Sequence, residues 1–592
     1  MKRIAFILAA MLIVAACGSK TEPQEGGETP GTGTGNGTQD PGTQPELEGN
    51  IRGQITDSKT GAPIAGVSVS DGYTVTTTDA DGNYAFYGNE LTRTVFISVP
   101  AEYEIPTDKD GHLAFYTNGQ FNDPQKEYAV SFKLTPREKV SDKFSDKFIL
   151  CAAADVHIYD GTDKNYPKNR RSDLTQFKED CLPDMLNTME GLNGGGSYND
   201  CLVLFAGDQM SDNMEKVVPF KNTLANKTVN NRKVVFLHCI GNHDFANRDL
   251  VDKDPTSYNA SKTFVENFGP MDYSLNIGNA HIVVMNNMIV NSKDNWTRDS
   301  QVKCIGYSKG ITDEQLDWLE QDLANVKNPE KKVIILCVHV PIYNDGSPNY
   351  QQVVNLMTSF QEGHIVSGHS HNIKNYIHKQ TCKNGKGIYE HNLQSLAGDW
   401  WFSNLSSDGS PRGYKVFRFS GNKLFDSVNK AVGASSNYQM RVYNGNDSYS
   451  GTTTGGGTPA KGTKPNDDTY TWDPAYKNYF LVRVWNADDN WTVTFVQGKD
   501  SKPMTRLSSI VDQCTQAFGC NFQKNIYGAS FKHATDNFWT IEAPGGDPAK
   551  ESGWKIVATH KYSSGLSKTY ECNIIQSDYT GFASGDKFPE NN

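Results

Sequence analysis

Five short stretches of this 592-residue chain carry side chains suited to holding divalent cations. They are Asp155-Val156-His157, Gly207-Asp208, Gly241-Asn242-His243-Asp244, His339, and Gly368-His369-Ser370-His371. Carboxylate oxygen, imidazole nitrogen and amide oxygen together suit Zn, Mn or Fe, and no cysteine stands among them to suggest a soft thiolate site. Asp155 and His157 are two residues apart, as are His369 and His371, so on extended backbone each pair points the same way. Glycines beside Asp208, Asn242 and His369 let the chain bend sharply beneath an ion or a phosphate. Taken singly these stretches say little: Asp-x-His is common, Gly-Asn-His-Asp reads as a turn, and a lone histidine is uninformative. Their common placement carries the signal.

Each stretch begins where an apolar run ends. The runs are Phe148–Ala154, Leu202–Ala206, Val234–Ile240, Val333–Val338 and the pair Ile365-Val366. Short, continuous and bounded by polar turns, they read as strands covered on both faces. Helical patterns lie between them. The clearest follows Thr312, with Gln315 three residues on as a capping box and Leu316, Leu319, Leu323 and Val326 along one face. Asn276–Val290 reads as an antiparallel pair around Gly278-Asn279. The alternation defines an α/β layered domain over 147–410, and sites in such sheets assemble at the carboxyl ends of strands.

The flanks differ in character. Residues 50–137 alternate short strands with turn clusters such as Asp79-Ala80-Asp81-Gly82, as a small β-sandwich does. Residues 411–592 read as a C-terminal, mostly-β domain, interrupted by the Gly451–Thr463 glycine-threonine loop. Residues 18–49 are mostly Gly, Thr, Pro, Glu and Gln with almost no large apolar residue, which cannot bury enough surface to fold and read as a flexible linker. Ahead of them, Lys2-Arg3, an apolar Ile4–Val14 and Val14-Ala15-Ala16-Cys17 describe a secretory signal over 1–17. A net charge of -11, with no basic cluster, argues against a nucleic-acid partner. Cys151, Cys201, Cys239 and Cys337 sit within apolar runs, as buried free thiols do.

The five stretches in this order resemble the calcineurin-like metallophosphoesterases, whose pattern is D-x-H, G-D, G-N-H-[DE], H and G-H-x-H. That resemblance implies a four-layer α/β/β/α core with two divalent metal ions. Asp155, His157, Asp208 and His371 would hold one; Asp208, Asn242, His339 and His369 would hold the other, with Asp208 bridging. His243 would face the phosphate as the acid, oriented by Asp244. Val14-Ala15-Ala16-Cys17 resembles a bacterial lipobox, implying lipidation at Cys17 and a place in the bacterial cell envelope, at its periplasmic face or cell surface. Gly53–Tyr84 is similar to carboxypeptidase-regulatory-like domains. Gly398-Asp399-Trp400-Trp401 and the later Val484–Trp491 are similar to an exported bacterial subgroup with a dedicated C-terminal domain. Many family members read G-D-x-x-D, whereas Asp212 falls one residue later here.

Two cations so placed would hold a bridging water, lower its pKa, and make hydroxide available to attack a phosphate ester. Trp400 and Trp401 read first as core packing, with a substrate wall as the second reading. The expected activity is that of a phosphomonoesterase or phosphodiesterase. A pyrophosphatase or nucleotidase on the same core, or an inactive surface binding protein, are the alternatives.

Overall fold

A computed structural model describes residues 47–138, 146–160, 171–245, 258–297, 303–343, 345–401, 403–406, 408–450, 469–522 and 533–576. The 1–17 signal, Cys17, nearly all of the 18–49 linker and the Gly451–Thr463 loop lie outside them.

The apolar runs build two six-stranded sheets. The first runs Thr228–Val229, Arg232–Cys239, Asp200–Ala206, Lys147–Ala153, Gly413–Ser420, Lys423–Ala431. Its three central runs pair in parallel, in registers set by Cys201↔Val234 and Asp200↔Phe148. The second runs Tyr273–Ile277, Ala280–Val284, Val333–Cys337, Glu362–Ser367, Gly387–Asn392, Lys374–Thr381. Val333–Cys337 is parallel to both neighbours, and the expected hairpin around Gly278-Asn279 forms the antiparallel edge.

Side chains alternate across a strand, and here the alternation splits the core into layers. Phe148, Leu150, Ala152, Leu202 and Leu204 pack toward the second sheet with Ile282, Leu336 and Ile365. Ile149, Cys151, Ala153, Val203 and Phe205 pack outward against Met185 and Met189 of the helix Leu182–Leu192 and Phe264 of Tyr258–Phe268. On the far side Trp318 and Leu319 of Asp313–Ala324, with Val353 and Met357 of Tyr350–Met357, cover the second sheet. The helix after Thr312 starts where expected: Gln315 N–H donates to Thr312 Oγ1 at 3.2 Å, and Thr312 N–H donates to Gln315 Oε1 at 3.0 Å. The order of layers is α/β/β/α.

The core sheet runs past 410, the end expected from sequence. Gly413–Ser420 pairs antiparallel with Lys147–Ala153, from Lys415↔Ala152 to Ser420↔Lys147. The physical reason is edge protection: without that partner an apolar strand would expose its unpaired backbone.

The N-terminal region forms two four-stranded sheets, and its Ser70 Oγ accepts from Trp318 Nε1 at 3.0 Å. Beyond 431 the chain forms two further four-stranded sheets, one around Tyr479–Val484 and one around Trp491–Gln497. Its Arg483, fully buried, is held by Asp408 at 2.7 Å and Asp512 at 3.4 Å, so the loop before Gly413 and the terminal sheets share one charge network. Cys151, Cys201, Cys239 and Cys337 are buried thiols. No helix among the described residues is long and apolar enough to cross a membrane.

Candidate metal centre

Parallel pairing brings Asp155, Asp208 and Asn242 to one edge of the first sheet, each just beyond a strand. His339, His369 and His371 leave the matching edge of the second sheet. The two edges meet. Three overlapping groups of mutually close donor atoms result: Asp155, His157 and His371; His157, Asp208 and His243; and Asp208, His339 and His369. His157 Nε2 lies 2.9 Å from His371 Nε2 and 3.8 Å from both Asp155 Oδ1 and Asp208 Oδ2. His339 Nε2 lies 3.1 Å from Asp208 Oδ2 and 3.2 Å from Asn242 Oδ1, which is itself 3.0 Å from His369 Nδ1. Donors about 2.1 Å from a shared ion sit roughly 3.0–3.4 Å apart. The observed spacings centre on that range. All seven expected ligands are therefore brought together, and the donor set fits two hard or borderline cations.

The surroundings orient these donors. The Ala206 carbonyl can only accept, so His339 Nδ1 carries its proton into that 2.9 Å bond and leaves Nε2 for the centre. His369 N–H donates to both Asp155 carboxylate oxygens at 3.0 and 3.1 Å. Asp155, His157, Asp208, His369 and His371 all hold left-handed backbone, with φ between 50° and 68°. Such a conformation costs about 1–3 kcal/mol per non-glycine residue and persists only where the surroundings impose it. Five cases in one centre mark a site built for chemistry. Two glycines are required by close approach. A Cβ on Gly207 would lie 2.2 Å from His339 Nδ1, and one on Gly241 would lie 2.2 Å from Asp208 Oδ1.

Charge follows the geometry. Burial would raise the Asp208 carboxyl, but the imidazoles of His339 and His243 hold it well below its ordinary value. Burial would lower His339, and Asp208 beside it carries it up to about 9. Burial, reinforced by His339, presses His369 down to about 4, so this imidazole is neutral and ready to ligate.

His243 reaches the same centre, its ring 5.2 Å from that of His157, and its backbone N–H donates to Asp208 Oδ1 at 2.8 Å. The expectation that Asp244 orients it is corrected. Asp244 is fully buried and accepts from Met210 N–H at 2.7 Å, Gly241 N–H at 2.9 Å and Gln209 Nε2 at 3.2 Å, which consumes its carboxylate in the turn. Burial and the neighbouring Asp208 push it up to about 7. Asp212 stands against the His243 ring instead, with Oδ2 2.7 Å from His243 Nδ1 and Asp212 N–H donating to the His243 carbonyl at 2.9 Å. The one-residue departure from G-D-x-x-D was the available signal.

The tryptophans separate. Trp401 is 1% exposed, and its Nε1–H donates to the Val156 carbonyl at 2.8 Å, so it is core and not a wall. Trp400 is half-buried and lies over the centre, 4.2 Å from the His157 ring. Sequence reasoning missed Tyr307, whose Oη is 3.4 Å from His369 Nε2. It sits on the Lys303–Lys309 strand of a separate hairpin, and nothing in its spacing pointed here.

A two-sheet sandwich whose facing edges gather Asp, Asn and His donors into overlapping clusters, two of them sharing Asp208, is the arrangement of a dinuclear metallohydrolase. Comparison with known families agrees. Residues 150–372 match calcineurin-like phosphoesterase, residues 49–137 match its N-terminal region, and residues 390–564 match its C-terminal region. The chain belongs to the calcineurin-like phosphoesterases, metal-dependent enzymes with a dinuclear divalent centre. Among solved structures it is similar to a purple acid phosphatase from yellow lupin (Lupinus luteus) seeds, at 13% identity and TM-score 0.31, over 48% of this chain and 53% of that one. It is also similar to phosphopantetheinyl hydrolase from Mycobacterium tuberculosis, at 12% identity and TM-score 0.25, over 42% and 91%. A 5'-nucleotidase from Candida albicans matches at 14% identity and TM-score 0.26, over 46% and 48%. The chain thus spans about half the length of the lupin phosphatase and of the nucleotidase.

Proposed function

We propose that this chain hydrolyses a phosphate ester, with His243 as the acid and with Asp155, His157, Asp208, Asn242, His339, His369 and His371 as the metal ligands. The observation that carries this reading is that Asp208 Oδ2 links the two donor sets, 3.1 Å from His339 Nε2 and 3.8 Å from His157 Nε2. Two divalent cations held there supply a water nucleophile of lowered pKa and offset charge on the phosphoryl oxygens. The protein's own groups do the rest. Asp212 keeps the His243 Nδ1 proton engaged, so Nε2–H is the proton available to the leaving oxygen. The negative Asp212 also supports the imidazolium before transfer. Asn242 adds a neutral oxygen ligand, which keeps the centre's net charge positive enough to draw in a phosphate. An inactive binding protein is disfavoured, because all seven donors converge.

The test is hydrolysis by the metal-loaded protein of a panel of mono-, di- and pyrophosphate esters, before and after chelation. Turnover of at least one class, lost with chelator and restored by metal, is expected. Absence of turnover across the panel by protein of verified metal content contradicts the reading.

The same proposal takes the chain to be lipid-anchored in the bacterial cell envelope through Cys17, supported by Lys2-Arg3, the apolar Ile4–Val14 and the small residues before Cys17. Labelling with a fatty-acid analogue should be lost in Cys17→Ser; retained label points to another site.

A further inference from the structure

Trp400 and Trp401 are consecutive, both in left-handed backbone at φ 50° and 66°, and they do opposite things. For side chains this bulky that conformation is a genuine outlier, sustained only by surrounding contacts. Trp401 supplies those contacts. Its backbone N–H donates to the Ala397 carbonyl at 2.8 Å, its indole N–H donates to Val156, and the Arg412 guanidinium stacks 5.6 Å from its ring. Gly398, at φ 62°, and the Asp399↔Ser403 bridge close the turn around it. Trp401 is thus a peg driven into the Asp155–His157 loop, and the strain it holds swings Trp400 over the metal centre.

Trp400 packs against three imidazoles of that centre. Its ring is 4.2 Å from His157, 5.5 Å from His371 and 5.7 Å from His243, the last at 89°. His243 is the decisive neighbour. A proton donor must come within about 2.6–3.2 Å of the leaving oxygen. Whatever is bonded to that oxygen then lies near the indole ring, which stands perpendicular to that of His243. A half-buried indole in that position puts a flat, apolar ring at the rim of the centre.

We infer that Trp400 is the leaving-group wall of this site and that it selects phosphate esters whose leaving group presents a flat aromatic face. This rests on the phosphoesterase reading for the identity of the anionic end, and adds to it the class of group on the other side of the ester oxygen. Stacking of a ring on an aromatic side chain is worth about a tenfold preference. A leaving group of hydroxyls or charges gains none of it.

Two non-hydrolysable probes differing only in the ring isolate the effect: benzylphosphonate and ethylphosphonate, titrated calorimetrically into the metal-loaded full chain. Wild type is expected to bind the benzyl compound about tenfold more tightly. Trp400→Phe keeps most of that ratio, while Trp400→Ala brings it close to one at unchanged metal content. A ratio near one in wild type, failure of both probes to bind, or an unchanged ratio in Trp400→Ala overturns the inference. Turnover of benzyl against ethyl phosphate is measured in parallel. A protein that binds with the preference but hydrolyses nothing sinks the hydrolase reading and leaves the wall standing, whereas hydrolysis without preference does the reverse.

Discussion

At the scale of single residues, the pairing of His243 with Asp212 has the sharpest consequence. If His243 delivers the proton, His243→Gln should retain metal yet lose about 10²–10⁴-fold in kcat. Asp212→Asn keeps an oxygen near Nδ1 but removes the charge, so a smaller loss of about tenfold to a hundredfold is expected. The double variant should be no worse than His243→Gln, since residues acting as a unit are not additive. Additive losses in kinetics of the three proteins would show that Asp212 acts elsewhere. The convergence of these donors was legible in the sequence because each is an Asp, Asn or His within a few residues of the end of an apolar run. Asp244 was misread for a physical reason: adjacency to His243 in sequence does not give adjacency to its ring. The chain turns at Gly241–Asp244, sending the Asp244 carboxylate back into the backbone amides of Met210 and Gly241.

At the scale of elements, strand termini do the positioning, and turns pin them. Asp272 is one such pin. It stands just before Tyr273–Ile277 and accepts from Asn286 N–H at 3.0 Å and from Gln315 Nε2 at 2.9 Å, tying the strand to the capping box. Burial raises its carboxyl from 3.8 to about 7. Between those values the folded protein holds a proton that the unfolded chain has released, so this group's contribution to stability falls as pH rises through the window. Asp272→Asn keeps the acceptor without the titration. Urea midpoints measured from about pH 5 to pH 8 should therefore decline less steeply in the variant; identical slopes would contradict the assignment. Element type was readable wherever the pattern was strong, as at the capping box after Thr312 and the hairpin at Gly278-Asn279. Partnership was not. Gly413–Ser420 sets Tyr414 and Val416 on one face and Phe417 and Phe419 on the other, a pattern that a strand of either domain could carry, and only the exposed edge of Lys147–Ala153 claims it for the core.

At the scale of the whole molecule, the centre belongs to neither sheet alone. The first sheet contributes Asp155, His157, Asp208 and Asn242, the second His339, His369 and His371, and the facing apolar layers hold the two edges in register. Flanking elements reach in as well: Trp400 comes from the loop that precedes Gly413–Ser420, and Tyr307 from a separate hairpin. Long-range placement of this kind has no local sequence signature, which is why Tyr307 was invisible and Trp400 could not be told from Trp401. The central claim is that seven side chains from two sheets hold two cations around one shared carboxylate. Counting bound metal per chain by elemental analysis, in wild type and in Asp208→Ala, tests it most directly. About two equivalents in wild type and near-complete loss of both in the variant are predicted, since each cluster loses its common oxygen. A wild-type value of one, or a variant that keeps one full equivalent, would contradict a centre built on Asp208.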